Sequence, residues 1–270
     1  MIAAKIGGAQ YMIPSEWEDI TIRQAVGVLE IPMPESLMRI YREAAGRNEN
    51  DPAWGDRMEK LYSEIPEEDL HKHLPEYRLK VLSVLCGIPE EVLLKTNAYS
   101  ITSAYNIYMM SFVNGLHFLP TDYKPELIDG FTFEGIRYCF PKSRKMFSDL
   151  IPMFDATAIE FTESADLMIG LSKLQKDFRK AALLIAILCR PDGERYDEAT
   201  ALNRADRFLG LPMSVVWDVF FSLITQSAIL KAFTETCLQA AAEERKKAAP
   251  VGIWNASDGM EKSFISPVKM

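Results

Sequence analysis

Three histidines, four cysteines and several adjacent carboxylates are the groups in this chain with chemistry to offer. His71 and His73 stand two apart, which on a helix points the rings in different directions. The next histidine is His117 and no cysteine is near the pair, so no metal-ligand set is expected. Cys86, Cys139, Cys189 and Cys237 lie far apart and never form a CxxC pair, which reads as buried free thiols in a reducing compartment. Glu67-Glu68 and Glu90-Glu91 are neighbours along helix starts, so they diverge, whereas general acid–base chemistry needs convergent groups. Pro191-Asp192-Gly193-Glu194 carries two acids without the spaced ligand series of a calcium loop, and reads as a solvated tight turn. No nucleophile elbow, phosphate loop, dinucleotide fingerprint, zincin motif or kinase signature occurs. The expectation is a protein that is not an enzyme, with no catalytic residues, no cofactor and no metal.

The elements that would position any site are read from two related stretches. Ile6-Gly7-Gly8-Ala9-Gln10-Tyr11-Met12-Ile13-Pro14 resembles Phe133-Glu134-Gly135-Ile136-Arg137-Tyr138-Cys139-Phe140-Pro141, with Gly, Tyr and Pro in one register. Each reads as a β-hairpin whose two-residue turn needs positive φ and whose second strand is closed by proline, at Ile13 and at Phe140. A lone hairpin is marginal in water, and a small sheet shared by the two is expected. A second pair supports duplication: Leu85-Cys86-Gly87-Ile88-Pro89-Glu90-Glu91-Val92 resembles Phe208-Leu209-Gly210-Leu211-Pro212-Met213-Ser214-Val215, in the same order at nearly the same offset. The fold class is mainly α with two short β-hairpins, an α+β chain. A hairpin-plus-helices unit is expected over 1–127, a second over 128–246, and a flexible C-terminal tail over 247–270.

A hydrophobic fraction of 48% with 25% charged residues is that of an ordinary globular protein, long enough to bury a sizeable core. The formal charge of −8 disfavours nucleic acid, whose binding relies on Lys and Arg neutralising phosphates. Met1-Ile2-Ala3-Ala4-Lys5 has no basic region leading into an apolar run, so no secretory signal is expected. The most apolar stretch, Leu211 to Phe233, is interrupted by Asp218, Gln226 and Lys231 and reads as a buried helix, not a membrane span.

Thr21 and Gln24 have capping-box spacing ahead of a helix from Ile22 to about Glu30, with Trp17 in the corner between hairpin and helix. Glu35 to Ala45 resumes helical spacing through Leu37, Ile40 and Tyr41. A short helix around Met58 follows, then one opened by Pro66 with acids in its first turn. The apolar helix through Val81 and Leu85 is ended by Gly87, and Pro89 starts one carrying Val92, Leu93, Tyr99 and Ile101. Helix, glycine, helix is also the order of a DNA-reading helix-turn-helix, but Glu90-Glu91 stand where phosphate or guanine donors belong. In the second half, helices are expected over Asp177 to Cys189 and Tyr196 to Leu209. A long final helix from Pro212 should pack along a seam through Val216, Phe220 and Leu223.

Asn106 to Leu119 is Met- and aromatic-rich. Such stripes are usually core, with an adaptable partner surface through Met109 and Met110 as the alternative. Trp254, Phe264 and Ile265, isolated among polar residues of the tail, are candidate partner-binding residues that fold on binding. The opening hairpin with Ile13-Pro14-Ser15-Glu16-Trp17-Glu18-Asp19-Ile20-Thr21, and Leu82-Ser83-Val84 running into Leu85–Val92, resembles proteins of tailed bacteriophages of Bacteroidetes-type hosts. Some of these carry tail-assembly-chaperone or tail-protein labels. The resemblance covers mainly the first hundred residues and supplies no catalytic residue. It implies a non-enzymatic phage morphogenesis protein, foremost a tail assembly chaperone acting in the host cytoplasm. Its partners would be other phage proteins, such as a tail component or tape measure, with no membrane. The alternatives are a structural virion protein of the tail or connector, and a DNA-associated helix-turn-helix regulator.

Overall fold

The structure is a computed structural model that describes residues 1–6, 8–45, 53–118, 123–126, 128–140, 177–223 and 225. Its elements are β1 (Ile2–Ile6), β2 (Ala9–Ile13), α1 (Ile22–Leu29), α2 (Glu35–Ala45), α3 (Trp54–Ser63), α4 (Leu74–Cys86), α5 (Glu90–Leu94), α6 (Ala98–Ala104), α7 (Met110–Phe118), β3 (Gly130–Phe133), β4 (Ile136–Cys139), α8 (Phe178–Leu188), α9 (Glu198–Phe208) and a helix over 213–223, here α10. The described part is mainly helical with two small antiparallel sheets, an α+β protein.

Both hairpins form where the glycines put them. Ile6 faces Ala9 across the first turn, where Gly8 has φ 89°, and β2 stops at Ile13 before Pro14. Phe133 faces Ile136 across the second, where Glu134 (φ 48°) and Gly135 (φ 78°) both take positive φ, the combination that matches the twist of the strands. The hairpins do not pair with each other, which corrects the expected shared sheet: each is a separate two-stranded sheet. The second finds another neighbour instead. Cys139 N–H donates to Arg190 O (2.8 Å) and Arg190 N–H to Cys139 O (3.0 Å), just after α8. Its opposed Phe131 and Tyr138 rings stack at 5.6 Å and both meet the edge of Phe208 on α9.

α1 is the hub of the core. Ile22, Ala25 and Val28 are fully buried, and Gly27 stands so close to α4 that a Cβ there would lie 3.0 Å from Val84 Cγ1. A helix N-terminus leaves four N–H groups without intrahelical partners, and here all four are met. Thr21 N–H donates to Gln24 Oε1 (2.9 Å) and Gln24 N–H to Thr21 Oγ1 (3.3 Å), the expected capping box. Ile22 N–H donates to Leu211 O (2.9 Å) and Arg23 N–H to Leu209 O (2.8 Å). Gln24 Nε2 also reaches Leu85 O at 2.9 Å. Thus both helix–corner–helix stretches dock on the start of α1. They close differently: Gly87 caps α4 in the left-handed region (φ 63°), whereas Gly210 has no positive φ, and what they share is a fully buried Ile88 or Leu211 ahead of the proline. One core cluster runs from Ile13 to Leu223 and so draws on both expected halves, while Leu37, Ile40, Met58 and Ile65 make a small second cluster between α2 and α3.

Two helices carry an extra residue in one turn. Asp69–His73 leads into α4 and Tyr105–Met109 joins α6 to α7, each a π-helical turn whose wider ring shifts the faces that follow. The single helix expected from Pro89 through Ile101 is two, because Asn97 accepts from Tyr99 N–H (2.8 Å) and starts α6 afresh. Among the described residues no helix is long and apolar enough to cross a membrane. Only 213–223 and residue 225 of the long final helix are described, and the expected continuation to 246 lies outside the described residues.

On α7 the His117 imidazole is pressed against Phe118 (5.9 Å), its Nε2 has no hydrogen-bond partner among the described residues, and burial lowers its pKa. The folded state therefore binds fewer protons here than the unfolded chain. Stability is expected to fall as pH drops through the unfolded imidazole value of 6.5, levelling off below the depressed folded value. Denaturation curves of wild type and His117→Gln between neutral pH and pH ~5 check this: the variant should lack that loss. Parallel pH dependences would show that another group carries it.

Candidate functional site

An open groove runs between α7 with the π turn before it and the corner that follows β2. It is lined by Ile2, Ser15, Glu16, Trp17 and Glu18 on one side and by Ile107, Tyr108, Ser111, Phe112, Tyr123 and Lys124 on the other, and holds about 1030 Å³ of space continuous with solvent. The corner is built around one carboxylate. Asp19 Oδ2 accepts from the Met1 ammonium (2.6 Å), Ser15 N–H (2.9 Å), Ser15 Oγ–H (3.0 Å) and Glu16 N–H (3.3 Å). Partial burial would raise the Asp19 pKa, but these donors outweigh it and hold the group below its usual range. Trp17 packs in the expected corner, edge-on to Phe112 (5.0 Å) and to Trp217 of α10 (5.5 Å), so it forms floor and not rim.

The far end is strapped to α10. The Tyr123 hydroxyl lies 2.7 Å from Asp218 Oδ1 and 3.0 Å from Ser214 O, Glu126 N–H donates to the same Asp218 oxygen (2.9 Å), and the Tyr123 ring stacks on Phe221. Burial first, then the Asp218 hydrogen bond and the charges of Asp218, Glu18 and Glu126, raise the Tyr123 pKa and keep it a neutral phenol.

Beside the groove the outer side of α6–α7 has no charge at all: no Asp, Glu, Lys or Arg occurs between Lys95 and Asp122. Solvent-facing helix surfaces are normally charged, and charge depletion with Tyr and Met enrichment marks interface centres. Tyr99 is 80% exposed, Ile107 70% and Met110 44%. A π turn, Tyr105–Met109, joins α6 to α7 within this run, with Ile107 exposed in the turn itself. Of the expected partner residues, Met110 is on this face, Met109 is wholly buried beside Tyr105 and is not part of any surface, and Trp254, Phe264 and Ile265 lie outside the described residues. The uncharged run was a sequence signal for Tyr99 and Ile107.

Elsewhere, a shallow cleft includes Met33, Pro34, Asp69, His73, Tyr77 and Lys80. Asp69 is hydrogen-bonded by Ser36 and lies 2.8 Å from His73 Nδ1, while His71 is exposed. Ser36 and His73 each bond to a different oxygen of Asp69, so the imidazole faces the carboxylate and not the Ser36 hydroxyl. Among the described residues no three His, Cys, Asp or Glu groups are placed to hold a metal ion. Cys86, Cys139 and Cys189 are free; Cys189 is buried, Cys86 and Cys139 only partly, and burial pushes the Cys86 thiol up to about 12. The helix after Gly87 is α5, five residues long and begun by Glu90 and Glu91, a short and acidic element to present to a DNA groove. The Pro191–Glu194 turn forms as expected, with Gly193 at φ 79°.

Comparison with known proteins finds no matching family model, curated protein or solved structure.

Proposed function

We propose that this chain is a non-enzymatic, protein-binding morphogenesis protein of a tailed bacteriophage, foremost a tail assembly chaperone that holds another phage protein in the host cytoplasm before assembly. The phage assignment comes from the resemblance of the opening hairpin, the corner Ile13–Thr21 and the stretch Leu82–Val92. What supports binding is the uncharged, exposed outer face of α6–α7 with Tyr99, Ile107 and Met110, bordered by a groove floored by Trp17 and Phe112. Depletion of charge together with exposed Tyr, Met and aliphatic side chains is a feature of protein–protein contact surfaces.

The test is a pull-down of the tagged chain from infected cells, read by mass spectrometry and compared with purified particles. Recovery of a tail component, with the chain absent from particles, is the expected result. Its presence in particles would replace the chaperone role by the structural one. Recovery of nucleic acid alone, or of no tail component, would overturn the morphogenesis reading.

A further inference from the structure

The uncharged face does not select among partners, but the groove beside it does. Glu16 and Glu18 line it as exposed carboxylates with no ion pair among the described residues, Glu16 also accepting the Asp19 N–H in a capping box, and Lys124 is the single cation among the described lining residues. The Met1 ammonium does not offset them, because Asp19 takes it at 2.6 Å. Glu126 and Asp218 add negative charge at the Tyr123 end, near enough that both, with Glu18, act on the phenol. Beneath this acidic rim the surface is apolar and aromatic: Trp17, Phe112, Tyr108, Ile107 and Ile2.

We propose that the groove takes a segment of a partner protein that sets an aromatic or branched aliphatic side chain over Trp17 and Phe112 and an adjacent Lys or Arg against Glu16 and Glu18. The inference rests on the protein-binding reading above and names the chemistry of the partner. The apolar side chain gains from leaving water, and the basic group meets two exposed carboxylates at the edge of a low-dielectric floor, where attraction is stronger than between fully solvated charges. Arginine fits best, since its planar fork pairs with a carboxylate through two hydrogen bonds. A second copy of this chain suits the groove poorly, because it brings a net charge of −8 toward the same acidic rim.

Fluorescence anisotropy on the full chain tests this with two short labelled peptides of one amphipathic Leu/Phe pattern, one carrying lysines and the other glutamates at the polar positions. The lysine peptide should bind and the glutamate peptide should not. The Glu16→Gln/Glu18→Gln double substitution should weaken binding about tenfold and flatten its salt dependence. Ile107→Ser should weaken it while leaving the salt dependence in place. The charge-matched Glu90→Gln/Glu91→Gln pair, outside the groove, should change nothing; an equal effect there would reduce the result to general attraction to an acidic protein and overturn the site. Equal binding of both peptides, or none, would also overturn it. Capture of tail components undiminished by Glu16→Gln/Glu18→Gln would keep the chaperone reading and remove the groove. Binding of the lysine peptide without any tail component in the pull-down would do the reverse.

Discussion

Trp217→Ala is expected to lower the unfolding free energy by about 3–5 kcal/mol in chemical denaturation, the range for emptying an aromatic site in a packed core. Trp217 is 1% exposed and joins the two ends of the described chain: its ring meets Trp17 edge-on at 5.5 Å, Phe178 at 5.6 Å and Phe220 at 6.2 Å. Beyond the lost apolar burial, three edge-to-face contacts vanish, each of roughly 0.5–1.5 kcal/mol in favourable cases. Trp217→Phe separates the two contributions. The indole Nε1–H is buried with no hydrogen-bond partner among the described residues, so phenylalanine removes a desolvated donor as well as ring area. The expected cost of Trp217→Phe is under about 2 kcal/mol, from shape mismatch less the relieved donor. A loss from Trp217→Ala of less than about 1 kcal/mol would mean that the aromatic cluster is not a core at all.

Arg204→Met is expected to cost about 3 kcal/mol, the low end for breaking a buried ion pair. Arg204 on α9 is 6% exposed; its Nη1 donates to Ala186 O (3.2 Å) and reaches Cys189 O (3.5 Å), its Nη2 pairs with Glu194, and its guanidinium lies over the Tyr138 ring at 5.6 Å. The first two are carbonyls at the end of α8, whose last turn has no basic residue of its own. One side chain thus caps α8, anchors the turn after it and covers hairpin two. Arg204→Lys should recover little, because an ammonium cannot serve carbonyls and a carboxylate through a planar fork. A double-mutant cycle with Glu194→Gln should give a coupling of about 1–3 kcal/mol, and a coupling near zero would assign the loss to the carbonyls alone.

What could be read from the residues was local. The Thr21–Gln24 box, the helix bounds Ile22–Leu29 and Glu35–Ala45, the Gly87 cap, the Gly193 turn and both hairpins depend on groups within a few residues of each other. The candidate surface was legible only in part. Met109 is wholly buried where Met110 is exposed, and Tyr99 and Ile107 on the charge-free run are exposed as well. On α10 the four-and-three spacing picked Val216, Phe220 and Leu223, yet the anchor is Trp217: with Met213, Val216, Trp217, Val219 and Leu223 all buried, the helix is covered on more than one side and its apolar periodicity no longer singles out a face.

The chain by itself determined which segments are helix and hairpin and where they start and stop, because caps, prolines and positive-φ glycines act through the neighbouring backbone. Tertiary structure alone decided how those segments meet. The corner at Gly210 meets the start of α1 because the free N–H groups of Ile22 and Arg23 find acceptors in Leu211 O and Leu209 O, and the corner at Gly87 meets it through Gln24 Nε2 on Leu85 O. The hairpins stay apart, and β4 bonds at Cys139 to Arg190 instead. The π turn at Tyr105–Met109 keeps Tyr105 and Met109 wholly buried while Ile107 and Met110 are exposed, a division of faces set by the packing of α6 and α7 on the core.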